Sequence, residues 1–133
     1  MPDYSPVHLP GLTATFTASG AIAAGDPVEV AGSGTVQKVA AAASMRYIGV
    51  AAQDAATGAA VTVILDRVVH EGAADGPVNA GDQLAASARA GCQVTQLASA
   101  ATATAADVNA ARAVVGVALT GAADGATVRW VQR

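Results

Sequence analysis

The sequence predicts a mainly β protein: a small barrel or sandwich built from two pseudo-repeated strand units, with one short helix and an extended N-terminal arm. Three observations lead there. Fourteen glycines divide the 133 residues into short stretches. Several of those stretches alternate with period two and are rich in β-branched residues, the pattern of half-buried strands. One succession of turns and strands also occurs twice along the chain.

The first twelve residues form the arm. Pro2, Pro6 and Pro10 recur at every fourth position before Gly11, and proline both disfavours helix and removes a ladder donor. Tyr4, Pro6, Val7, His8, Leu9, Pro10 and Leu12 are the candidate contact residues, because an extended apolar segment has little reason to float free beside a neighbouring subunit. A disordered terminus is the alternative. Residues 13–133 follow as a single β domain, with the repeats at about 20–65 and 76–132. Its clearest strands are Thr13-Ala14-Thr15-Phe16-Thr17, Val28-Glu29-Val30, Val61-Thr62-Val63 and Val128-Arg129-Trp130-Val131. The segment from Gln37 to Arg46 fits strand or helix. Thr104 to Ala111 reads as helix, with Thr104 as cap and Asp107 in the first turn, where the helix dipole favours a carboxylate.

The repeat is the most informative feature. Ile48-Gly49-Val50-Ala51 leads to Gly58-Ala59-Ala60-Val61-Thr62-Val63, and Val115-Gly116-Val117-Ala118 leads to Gly125-Ala126-Thr127-Val128-Arg129-Trp130, at an offset of 67 without a gap. Upstream, Gly20-Ala21-Ile22-Ala23-Ala24-Gly25-Asp26 matches Gly76-Pro77-Val78-Asn79-Ala80-Gly81-Asp82 at an offset of 56. The second copy therefore holds an insertion of helix size, and Thr104–Ala111 is the segment that fits it. Gly25, Asp26, Gly58, Gly81, Asp82 and Gly125 are assigned to structural turns, Asp for local backbone hydrogen bonds and Gly for positive φ. Gly49 and Gly116, inside strands, mark a bend or a close backbone approach. The two units are expected to close on each other to hide their edges.

Composition narrows the function classes. Hydrophobic residues make up 53% but aromatics only 3%, so the core is mostly Ala and Val. At roughly 25 cal/mol per Å² such small side chains contribute little each, and subunit contacts are expected to add stability. With seven basic residues and a net charge of −3, the chain has no basic stripe for nucleic acid. No apolar run reaches the ~20 residues of a membrane span. The single cysteine excludes an internal disulfide, and the N-terminus lacks the pattern of a signal peptide. The expectation is a protein with no nucleic-acid and no membrane partner, folded in the compartment where it is made.

Candidate chemistry is sparse. His8 and His70-Glu71 show no metal-ligand spacing and read as surface histidines. Cys92, at the start of a strand, reads as a small buried hydrophobe. Gly32-Ser33-Gly34 is a turn without the helix and lysine of a phosphate loop, and no G-x-S-x-G elbow is present. Asp26 and Asp82 recur at one place in both units, which favours a turn role over catalysis. Trp130 reads as a core residue, with interface anchoring second. No catalytic residue, cofactor or metal is predicted, and the chain is expected not to be an enzyme.

Gly25-Asp26-Pro27-Val28-Glu29-Val30, Ile48-Gly49-Val50-Ala51, Asp54-Ala55-Ala56-Thr57-Gly58 and Val61-Thr62-Val63 together resemble the capsid cement family of tailed phages. Ala80-Gly81-Asp82-Gln83-Leu84 and Val115-Gly116-Val117-Ala118 continue the resemblance, which runs from about Gly20 onward; lambda-type head decoration proteins have a similar rhythm. The resemblance implies a structural virion protein on the outer surface of the capsid, present in the host cytoplasm during assembly. It further implies a homotrimer that binds the major capsid protein, bridges neighbouring subunits and stabilises the phage head. The arm and the helical insertion depart from the pattern. Two alternatives are a small β-type binding or adhesion module and a biotinyl- or lipoyl-like carrier domain. The carrier would need Lys38, the only lysine, at an exposed hairpin tip.

Overall fold

The computed structural model describes residues 3, 12–65, 67–97, 102 and 104–133. It is mainly β, with ten strands and one helix among those residues. In chain order these are β1 (Thr13–Ala18), β2 (Pro27–Gly32), β3 (Thr35–Lys38), β4 (Tyr47–Ala51), β5 (Ala60–Ile64), β6 (Val69–Asp75), β7 (Gln83–Ala86), β8 (Cys92–Gln96), α1 (Ala105–Arg112), β9 (Val114–Ala118) and β10 (Thr127–Gln132).

The units do not close on each other. Each forms its own five-stranded barrel, β1-β3-β2-β4-β5 and β6-β8-β7-β9-β10, with the last strand paired back to the first. Self-closure is possible because β1 and β6 belong to the repeat as well. Each supplies the strand that covers both remaining edges, pairing antiparallel with β5 or β10 and parallel with β3 or β8. A closed sheet leaves no edge to hide.

The copies share strand order and, where the last strand pairs with the first, register as well. Thr13 faces Ile64 and Phe16 faces Val61; their counterparts are Val69 facing Val131 and Gly72 facing Val128. A bulge interrupts β2–β4 pairing between Val28 and Glu29, and the same bulge interrupts β7–β9 between Leu84 and Ala85. Beside each bulge sits the strand glycine. A Cβ on Gly49 would lie 2.1 Å from the Ile64 carbonyl oxygen, and one on Gly116 would lie 2.1 Å from that of Val131. The strands can approach this closely only where one carries no side chain.

Most of the shift in offset falls between β8 and β9, where α1 lies; a smaller part falls between β7 and β8, since Val36 pairs with Val30 whereas its counterpart Val94 pairs with Ala86. Thr104 caps the helix and forms a capping box with Asp107, which satisfies two of the free N–H groups at its start. No α1 residue is buried. The segment between β3 and β4, ambiguous in sequence, is an irregular connection in which Ala43 has a φ of 60°.

Two clusters form the core. Val28, Val36, Val61 and Val63 centre the first barrel, with Phe16 packed against them. Leu84, Val94, Val128 and Trp130 centre the second, and they are joined by Val39 and Val50 from the first half of the chain. The barrels therefore meet through a shared apolar surface.

Candidate functional site

The seam between the barrels holds His70, Gln93 and Gln132, three of the buried polar side chains. At its centre is Gln132, at the end of β10, with 1% of its surface exposed. Its Oε1 accepts from Tyr47 Oη of β4 at 2.9 Å and lies 2.9 Å from His70 Nε2 of β6. Its Nε2 reaches the Ile64 carbonyl at 3.5 Å. Nearby, Gln93 of β8 accepts from Trp130 Nε1 at 3.0 Å and donates to the Gly25 carbonyl of the other barrel at 3.0 Å. The Gln93 side chain lies where a Cβ on Gly72 would stand. Glycine at 72 is what makes room for this bridge.

His70 is not a surface histidine, because the alternation that points Val69 partly outward turns it inward. It is fully buried, and its ring lies 4.9 Å from that of Trp130. Burial pushes its pKa down to about 4, against the partial opposition of the Gln132 hydrogen bond. The imidazole is thus neutral at ordinary pH. A neutral ring packed on indole and shut off from solvent is suited to holding two strands in place, not to proton transfer with a substrate. His8 lies outside the described residues.

A second polar cluster surrounds Glu29 of β2, which is 2% exposed. Gln37 Nε2 donates to it at 2.8 Å, the Ala40 N–H and an Arg46 guanidinium nitrogen at 3.4 Å each, and Ser44 Oγ closer still. Burial pushes the carboxyl pKa up, but these hydrogen bonds and the Arg46 charge outweigh it and leave the group below the usual carboxylate range.

The turn residues occupy matching places in the two barrels. Gly25 and Gly81 have φ of 86° and 89°. Beside them, Asp26 Oδ2 accepts from the Ala23 N–H at 2.9 Å and Asp82 Oδ2 from that of Asn79 at 2.8 Å. Gly58 and Gly125 have φ of 84° and 77°, a region open to glycine without penalty. Of the candidate contact residues, Leu12 is 63% exposed beside β1, and its carbonyl accepts from the Leu65 N–H at 2.8 Å. Tyr4, Pro6, Val7, His8, Leu9 and Pro10 lie outside the described residues.

Cys92 is buried, with Sγ 3.7 Å from the Ala74 carbonyl. Lys38 ends β3 and lies 3.4 Å from Asp26 Oδ1, with 21% of its side chain exposed. That is not the hairpin tip a carrier lysine needs. Among the described residues no three of His, Cys, Asp and Glu gather as a metal-binding group. No helix there is long and apolar enough to cross a membrane.

Sequence reasoning missed Glu29, Gln93 and Gln132. Each stands within an alternating strand, where period two sets the side of the sheet but not what the far side meets. One signal was available. At repeat-equivalent positions Phe16 aligns with Gly72 and Val63 with Trp130, so a ring lost on one strand is regained on another.

No model of a known protein family matches the chain, and no curated protein sequence does. Among solved structures it is similar to the N base of head fiber gp8.5 in bacteriophage phi29. The identity is 19%, the match covers 92% of this chain and 93% of that one, and the TM-score is 0.61. That likeness spans both barrels and shows a shared fold.

Proposed function

We propose that this protein is a structural component of a phage head that binds the outside of the assembled capsid and stabilises it by bridging neighbouring capsid subunits. The observation that carries the reading is the likeness of the two-barrel fold, over nearly its whole length, to a protein described as the base of a head fiber. The turn-and-strand resemblance to capsid cement proteins adds to it. Chemistry points the same way, since the buried polar groups His70, Glu29, Ser87, Gln93 and Gln132 are engaged with neighbouring side chains or with backbone and serve packing.

The proposed mechanism is mass action. A ligand that binds the assembled shell and not its dissociated parts shifts the equilibrium against disassembly. Repetition over a lattice multiplies weak contacts through avidity. The partners under this reading are the major capsid protein and two further copies of this chain in a homotrimer. The arm, Tyr4 to Leu12, contacts a neighbour, and no catalysis is involved.

Cosedimentation with purified heads, before and after expansion, tests the reading. Saturable binding to expanded heads, with a raised temperature of head disruption, is expected. Absence of binding to either form would defeat it. Removing residues 1–12 should weaken attachment and leave the circular dichroism of the barrels unchanged. Undiminished occupancy would dissociate the arm from docking.

A further inference from the structure

The connections at equivalent places in the two barrels serve different ends. Between β8 and β9 lies α1, with no residue buried. Between β3 and β4 lie residues 39–46, which are bound to both barrels. Val39, 2% exposed, belongs to the core of the second barrel. The Ala43 N–H donates to the Ala86 carbonyl at the end of β7 at 3.0 Å. Immediately after the segment, Tyr47 packs on the second core and donates to Gln132.

Glu29 holds this connection in place. Ala40, Ser44 and Arg46, three of the donors to its carboxylate, belong to the segment itself. A buried carboxylate is costly unless its oxygens are fully engaged, and here the engagement comes mostly from one surface connection. The barrel itself has no need of the acid: the equivalent residue in the second barrel is Ala85, buried and apolar. Ala43 adds a second sign of constraint, because its φ of 60° is one that non-glycine residues seldom adopt without being held.

We propose that residues 39–46 form a strap, anchored by Glu29, that sets the orientation of one barrel relative to the other. The strap acts in the free protein and is independent of what the protein docks to. Without the carboxylate, Ala40, Ser44 and Arg46 lose their common acceptor, the Ala43–Ala86 bond loses its support, and the seam is left to Gln93, Gln132 and apolar contact.

Glu29→Met, which keeps the size of the side chain and removes both acceptor oxygens, tests this on the full chain. The readouts are amide exchange, trypsin cleavage after Arg46 and residual dipolar couplings. In the native protein the couplings from both barrels should fit one alignment tensor. In the variant, the amides of residues 40–46 should exchange about tenfold faster or more and trypsin should cut after Arg46. Each barrel should still fit a tensor of its own, while the two no longer agree. A single tensor for both barrels in the variant overturns the proposal, even if the strap amides exchange faster. Should Glu29→Met not fold, Ser44→Ala removes the hydroxyl donor and is read by the same criteria.

Discussion

The two barrels share a backbone and differ in what fills them. In the first, Ala14 faces Val63 and Phe16 faces Val61; at the same places in the second, His70 faces Trp130 and Gly72 faces Val128. The ring contributed by β1 in one copy is contributed by β10 in the other, and the vacated position on β6 admits the Gln93 side chain. Cores tolerate such exchanges when total volume is kept. What the copies hold in common is the backbone device: a bulge, a strand glycine and paired Gly-Asp turns. The difference teaches that closure of the barrel resides in that device, while the filling is free to be used for joining one barrel to the other.

The sharpest way to break this comparison is to attack the shared device. Gly49→Ala and Gly116→Ala each place a methyl 2.1 Å from a backbone carbonyl, which cannot be relieved by a side-chain rotation. Each should cost more than about 4 kcal/mol, the range of diagnostic core disruptions, measured by chemical denaturation. Tolerance in one barrel alone would mean that the two backbones are not equivalent. Truncating the filling should instead separate the barrels. Trp130→Ala is expected to cost ~3–5 kcal/mol, and Val63→Ala at the same position ~2 kcal/mol. Equal losses would count against the asymmetric cores described above.

Those positions also mark how far the sequence could be read. Alternation along Thr13–Thr17 and Val128–Val131, glycine spacing and two offsets were enough for a mainly β fold, a repeated unit and a helix at the insertion. Thr104 and Asp107 carried their capping role openly, because a cap is a contact between residues three apart. Barrel closure was hidden, because β1 and β6 lie outside the motifs that repeat visibly: Phe16 and Gly72 share a place but no chemistry. The seam was hidden for the same reason. His70 pairs with Gln132, 62 residues away, and no local pattern distinguishes a histidine turned inward from one turned to water.

His70 sharpens the comparison through pH, since its counterpart Ala14 cannot titrate. Its pKa is about 4 in the folded protein, against an ordinary value of 6.5. Between these values the unfolded chain binds a proton that the folded one refuses, so stability should fall as pH drops from about 6.5 to 4. The loss should reach roughly 3 kcal/mol, at 1.36 kcal/mol per unit. His70→Gln should flatten that part of the profile in urea unfolding followed by Trp130 fluorescence. Glu29 acts in a lower window: with its pKa depressed below 4.5, its contribution is present above that value and is lost as pH falls through the folded value. A slope between pH 6.5 and 4.5 that persists in His70→Gln would exclude the histidine as its source.

The smallest effect expected is also the one with the least obvious sign. Ala43 holds a φ of 60°, which costs an L-residue about 1 kcal/mol. Ala43→Gly removes that strain but also frees the unfolded chain, which offsets ~0.4–1 kcal/mol. The balance should be near zero, within about 0.5 kcal/mol of the native protein in chemical denaturation. The contrast with the second barrel gives the number its meaning, because α1 at the equivalent place is a capped helix with no positive φ among its residues. A clear gain on replacement, near 1 kcal/mol, would show that the strap is held against its own backbone preference. A clear loss would show instead that the Ala43 methyl contributes packing at the seam, since nothing about the φ angle itself favours alanine there.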